Sequence, residues 1–142
     1  MVGWYNYLDH MSDVIIEAYG GTLEEAFKYA GIGFYDLIVD VDKIEEKVKE
    51  EIHLDGYDLE ELLYNWIEAL ILSLELKNLV FKEFEVKINR VNEKYVLHAI
   101  GYGESYDKRK HGYKTHVKAV TFHQMVVCKR GELYYLRYLV DL

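Results

Sequence analysis

The sequence predicts an α+β fold of two layers, a largely antiparallel sheet with two main helices packed on one of its faces. Two amphipathic stretches each begin with a helix-capping pattern, and long segments alternate between apolar and polar residues. The order is strand, helix, strand, helix, then a run of strands. The chain has 142 residues, the length of one domain, so residues 1–142 are expected to form a single domain.

The first strand is predicted at residues 13–19, and Gly20-Gly21 ends it. Thr22 with Glu25 three residues later forms a capping box that opens the first helix. The apolar residues of this helix follow helical spacing and predict a face packed on a sheet. They are Leu23, Ala26, Phe27, Ala30, Phe34, Leu37 and Ile38.

Residues 48–54 alternate and predict a half-exposed strand whose glutamates are a solvated face. Asp58, with Glu61 at the third position inside, opens the second helix. Its wide apolar face is interpreted as core. That face comprises Leu59, Leu62, Leu63, Trp66, Ile67, Leu70, Ile71 and Leu74. Four further strands are predicted at residues 81–88, 95–102, 117–127 and 134–140, with a polar loop at 103–112.

The composition excludes several classes of function. A net charge of −8 disfavours autonomous binding of nucleic acid through its phosphates, and favours a basic protein partner or a cation. The apolar stretch at 67–74 is too short and too polar to span a bilayer. The start of the chain lacks the pattern of a signal peptide. Cys128 is interpreted as a buried strand thiol, and a single unpaired cysteine suits a cytoplasmic protein.

No phosphate-binding glycine loop, nucleophile elbow or Cys-x-x-Cys motif is present. Carboxylates and imidazoles instead concentrate in three places. These are Asp9, His10 and Asp13; then Glu104, Asp107 and His111; and finally Lys118, His123 and Asp141. Each residue also has an ordinary structural explanation as a turn cap, a hydrogen-bonded histidine or a surface lysine.

The two ends of the chain predict a cation site if they fold side by side. Asp141 lies next to the α-carboxylate of Leu142, after an apolar strand, and Asp13 begins the first predicted strand. Converging oxygens suit a hard divalent cation, and neighbouring aspartates would repel each other without one. Lys118 and His123 are five residues apart, so strand parity predicts opposite faces and suggests that one of them is structural.

Four parts of the sequence resemble the archease family, in order and over essentially the whole chain. They are residues 8–13 followed by 21–27, residues 103–111, residues 117–123 and residues 139–142. Departures are small. Met11-Ser12 stands where the family more often has Thr-Ala, Phe122 replaces the usual tyrosine, and Ser105 replaces a frequent proline.

The resemblance implies a non-enzymatic protein cofactor of the tRNA-splicing RNA ligase, which uses GTP and manganese to join RNA ends. Archeases promote guanylylation of that ligase and its repeated turnover. The family binds a divalent cation, calcium in crystals, through an early and a terminal aspartate, so the cofactor expected here is calcium or manganese. On this chain they correspond to Asp13 and Asp141, with the Leu142 carboxylate beside them and with Asp9 and His10 supporting them.

Two other functions stay open from the sequence. One is a metal-dependent hydrolase that uses Asp13 and Asp141 with His10 as the base, although no phosphate-binding element accompanies the carboxylates. The other is a stand-alone RNA chaperone, which the net charge of −8 disfavours.

Overall fold

The computed structural model of the protein describes residues 3–9 and 12–142. Its elements, in chain order, are β1 (Trp4–Asp9), β2 (Asp13–Gly20), α1 (Leu23–Ile38), a 3₁₀ turn (Val41–Lys43), β3 (Val48–Gly56), α2 (Leu59–Lys77), β4 (Leu79–Val91), β5 (Lys94–Ser105), a helical turn α3 (Lys108–His111), β6 (Ala119–Arg130) and β7 (Leu133–Asp141).

The strands form two antiparallel sheets. One has the order β1-β2-β7-β6 and the other the order β3-β5-β4. This confirms the predicted α+β class, with the strands divided between two sheets. Helix α1 contacts β2 and β4, and α2 contacts β3 and β6. Each helix therefore packs against both sheets, which join in one hydrophobic core.

Both predicted helix starts are confirmed by their hydrogen bonds. The hydroxyl of Thr22 accepts a bond of 3.1 Å from the backbone N–H of Glu25. The carboxylate of Glu25 in turn accepts one of 2.8 Å from Gly21. At α2, Asp58 accepts a bond of 2.8 Å from the N–H of Glu61. These side chains satisfy N–H groups that have no partner within the first turn of a helix.

The two main helices meet around Trp66, which is completely buried. Its indole N–H donates to the backbone carbonyl of Phe27 at 2.9 Å. Its ring lies edge-on to Phe84, with 5.1 Å between ring centroids. Close by in this core, the buried hydroxyl of Tyr35 donates to the carbonyl of Leu70 at 3.1 Å. The prediction that the apolar face of α2 packs in the core is therefore confirmed.

Three local features differ from the sequence-based prediction. Strand β1 was not predicted, and it is an edge strand that pairs with β2. Residues 103–105 belong to β5 rather than to the polar loop, and residues 108–111 form a helical turn. Gly103 explains why the strand continues, since a Cβ there would lie 1.8 Å from the carbonyl oxygen of Val80 on β4. Only glycine permits so close an approach of the two backbones.

Strand β6 is irregular in its middle. Its register with β7 shifts between Thr121 and Val126, and Gln124 has a positive φ of 58°. Lys118 lies before the strand begins, and His123 lies inside the shifted segment. The parity argument for these two residues was therefore wrong, because it needs an uninterrupted strand; both side chains are exposed.

Candidate metal centre

Two carboxylates lie opposite each other at the end of the four-stranded sheet. Asp13 begins β2 and Asp141 ends β7, and the two residues are register partners. Ala119, the first residue of β6, is the partner of Asp141 on its other side. Side chains directly opposite each other in antiparallel strands share a face, with Cβ atoms about 4.5–5.5 Å apart. The topology thus brings together aspartates that are 128 positions apart in the sequence (141 − 13).

Backbone hydrogen bonds hold the end of the chain at this place. The N–H of Leu142 donates to the carbonyl of Ser12 at 3.0 Å, and the N–H of Lys118 donates to that of Asp141 at 2.8 Å. The side chain of Leu142 is half-buried against the core. The structure therefore brings Asp13, Asp141 and Leu142 together, which is the geometry that the cation hypothesis requires.

The environment of Asp13 fits a cation. Its Oδ1 atom is buried and has no hydrogen-bond partner among residues 3–9 and 12–142. Within the same residues, neither Asp13 nor Asp141 forms a salt bridge. Like charges directly opposite in a sheet destabilise it, and a buried polar atom without a partner costs about 1–3 kcal/mol. A divalent cation that accepts oxygen ligands, such as calcium or manganese, would offset both costs.

The other residues predicted near this site differ in their placement. Lys118 is exposed, and its backbone N–H bond to the carbonyl of Asp141 places its main chain next to the end of β7. His123 is exposed, with its Nε2 3.3 Å from the Nε2 of Gln124. The backbone of Asp9 pairs with Val14, next to Asp13. The side chain of Asp9 and the whole of His10 lie outside the described residues.

The predicted residues Glu104, Asp107 and His111 form a separate hydrogen-bonded cluster. Glu104 and His111 are buried, and the His111 Nε2 lies 2.9 Å from a carboxylate oxygen of Glu104. The His111 Nδ1 accepts a bond of 3.0 Å from the N–H of Asp107, so the neutral ring carries its proton on Nε2 and donates it to Glu104. The Lys110 ammonium lies 2.9 Å from the same carboxylate.

These bonds favour the ionised form of Glu104. Hydrogen bonds from Lys110, then from His111 and the N–H of Glu45, lower the pKa of Glu104 to about 2, although burial acts in the opposite direction. The same pairing raises the pKa of Lys110. Glu104 lies near the end of β5, in the three-stranded sheet, and Asp107, Lys110 and His111 lie in the connection that follows it, whereas Asp13 and Asp141 are in the other sheet. Lys110 and Glu45 were not predicted, because their roles depend on contacts distant in sequence.

The chain matches the Archease protein family (MTH1598/TM1083) over residues 5–142, and it belongs to that family. Among curated relatives, Protein archease of Pyrococcus abyssi is 44% identical over 129 residues, covering 91% of this chain and 90% of the relative. Protein archease of Sulfolobus acidocaldarius is 41% identical, covering 97% of this chain and 98% of the relative.

Solved structures show the same fold. The solution structure of Methanobacterium thermoautotrophicum protein 1598 superposes with a TM-score of 0.85 at 27% identity, covering 97% of this chain and 98% of that one. The crystal structure of an archease, described as a possible chaperone, from Thermotoga maritima gives a TM-score of 0.59 at 17% identity, covering 95% and 94%. In the described part of our chain, none of the helices has the length and hydrophobicity needed to cross a membrane.

Proposed function

We propose that this archease is a non-enzymatic protein cofactor of the tRNA-splicing RNA ligase, promoting guanylylation of the ligase and its repeated turnover. The proposal rests on membership of the family and on one structural observation. This is the pair formed by Asp13 and Asp141, two carboxylates in register with no salt bridge among the described residues, one of them with an unsatisfied buried oxygen.

A divalent cation, calcium or manganese, is proposed to bind to Asp13 and Asp141, with the α-carboxylate of Leu142 beside them. Bound there, it would supply positive charge to oxygens that otherwise repel each other. Asp141 is exposed and Asp13 is half-buried, so one carboxylate anchors the site and the other faces solvent. Such a site remains accessible to a partner.

The charge of the protein suits a ligase as its partner. An enzyme that holds RNA must present a basic channel, and a chain of net charge −8 is attracted to such a surface without competing with the enzyme for RNA phosphates in solution. Exposed Lys118, next to Asp141, is the positive group that we propose for contact with an acidic or phosphate group of the ligase complex.

Two mechanisms of stimulation are compatible with this surface. In one, the carboxylate site, with Asp141 facing solvent, reaches the metal site of the ligase and orders the manganese or the phosphates of GTP. In the other, archease binding shifts the ligase toward a conformation that loads metal and nucleotide more readily. Substituting Asp141 separates them. The first mechanism requires its carboxylate in the complex, whereas the second tolerates asparagine if binding persists.

The cation site is tested by calorimetry with calcium and with manganese. Asp13→Asn and Asp141→Asn should each abolish binding, because each removes a charged oxygen ligand of a site that has few. Asp42→Asn, a change at an exposed aspartate in the 3₁₀ turn, is the matched control and should bind like the wild type. Undiminished binding in both site variants would overturn the assignment.

A labelled tRNA substrate with and without the ligase separates the three candidate functions. A ligase cofactor changes the RNA only when the ligase is present. A metal-dependent hydrolase would cleave the RNA by itself, and an RNA chaperone would bind it by itself. Either of these last two results, at physiological salt, would contradict the proposed function.

A further inference from the structure

Three side chains of types that can bind a metal ion lie together on the solvent-facing side of the three-stranded sheet. His53 on β3 and His98 on β5 are register partners. Glu51 precedes His53 by two residues, so it projects from the same face of the strand. One potential ligand atom from each residue lies within 4.8 Å of the others. This cluster is in the sheet that does not contain Asp13 and Asp141.

The three groups face one another without forming hydrogen bonds among themselves. The carboxylate oxygens of Glu51 lie 3.9 Å from the Nε2 atoms of both His53 and His98, which is beyond hydrogen-bond distance. The His98 Nε2 is shielded from solvent and has no partner in the described ranges 3–9 and 12–142. Two imidazoles and a carboxylate thus lie side by side without a hydrogen bond among them.

We propose that Glu51, His53 and His98 form a second metal site, selective for a borderline transition-metal ion such as zinc, nickel or cobalt. Imidazole nitrogens favour these ions, whereas sites made only of oxygens favour calcium, magnesium and manganese. Three protein ligands leave at least one coordination position open to solvent. An open position is typical of a site that exchanges its metal or binds a further ligand, whereas structural sites have four protein ligands.

The side chains can reach coordinating geometry by rotating about their own bonds. The two rings now stack at 4.2 Å between centroids, 10° from parallel. Around a tetrahedral ion with bonds of about 2.1 Å, ligand atoms are about 3.4 Å apart, so one ring must tilt out of the stack. The side chain of His53 is 63% exposed and that of Glu51 is 68% exposed, so both are free to move.

The surrounding charges partly cancel. Lys87 on β4 is the register partner of His98 and disfavours a cation. Glu85 lies two residues earlier on the same strand and face, and its carboxylate accepts a hydrogen bond from Tyr102. Lys49 lies two residues before Glu51 on the same face of β3, with its ammonium over the ring of Tyr102. Glu51 and Glu85 therefore balance Lys49 and Lys87 on this part of the face.

Zinc titration of the full chain, followed by NMR of the imidazole and backbone amide resonances, tests this site. We expect saturable shifts at His53, at His98 and in β3 and β5. Glu51→Gln and His98→Gln should abolish these shifts, and Glu51→Gln should do so in a folded protein because its side chain is exposed. His116→Gln, which removes an exposed histidine that lies on no strand, is the matched control and should retain them.

The readout also distinguishes this site from the aspartate pair. Asp141→Asn should leave the zinc shifts at His53 and His98 unchanged, and calcium alone should not produce them. Zinc shifts that persist in both Glu51→Gln and His98→Gln, or a wild type without saturable shifts at these residues, would overturn the proposal.

Discussion

The structure separates residues that hold the fold from those assigned to function, and Trp66→Ala compared with Asp13→Asn tests that separation. Trp66 is completely buried between the helices, with its indole N–H bonded to Phe27. Truncating a buried tryptophan costs about 3–5 kcal/mol, through lost burial and the cavity left behind. For a domain of this size each kcal/mol lowers the Tm by about 2–4 °C, so a loss of roughly 6–20 °C is expected.

Asp13→Asn should behave in the opposite way. It removes one of two opposing negative charges and keeps the shape of the side chain, so the Tm of the metal-free protein should stay the same or rise. Stimulation of the ligase should nevertheless be lost, because the cation ligand is gone. Both quantities are measured on the same preparations, by thermal unfolding and by ligase turnover. If the Tm of Asp13→Asn is as low as that of Trp66→Ala, the carboxylate pair is structural and the reasoning is refuted.

Three further predictions concern single positions. Because the pKa of Glu104 is lowered from 4.5 to about 2, its ionised contacts stabilise the fold fully above about pH 4.5 and lose that effect as the pH falls toward 2. Chemical denaturation should therefore show Glu104→Gln less stable than the wild type at neutral pH, with the difference vanishing near pH 2; a difference independent of pH would contradict this. A short extension beyond Leu142 should impair ligase stimulation more than an N-terminal tag does, when both are measured as ligation turnover. Equal activity of the two tagged forms would show that the Leu142 carboxylate is not part of the site. Lys118→Ala should leave the Tm unchanged but reduce ligase stimulation, and full stimulation would exclude Lys118 from the interface.

The sequence predicts the helices well because their signals are local. Capping boxes at Thr22 and Asp58 depend on residues three positions apart, and the apolar face of α2 follows a simple period. Strand β1 was missed because its signal is short: half-buried Tyr5 and Tyr7 alternate with exposed Asn6 and Leu8, but the alternation spans only a few residues. The division of the strands into two sheets depends on pairing between distant segments.

The candidate site, like the fold, could be predicted from the sequence only in part. Asp13 and Asp141 are recognisable in the sequence, but their opposition follows from the pairing of β2 with β7. The cluster around Glu104 appeared functional as a run of polar residues. The structure shows an internal network that fixes the connection after β5. His53 and His98 were missed because only the register of β3 with β5 makes them neighbours.

The most direct test of the proposed function is a ligase guanylylation assay with GTP and manganese, run without archease, with the wild type and with Asp141→Asn. The wild type should raise the rate of guanylylation and allow more than one turnover per ligase. If the carboxylate acts within the complex, Asp141→Asn should fold normally and fail to stimulate. A ligase that is guanylylated and turns over equally well without archease would contradict the proposed function.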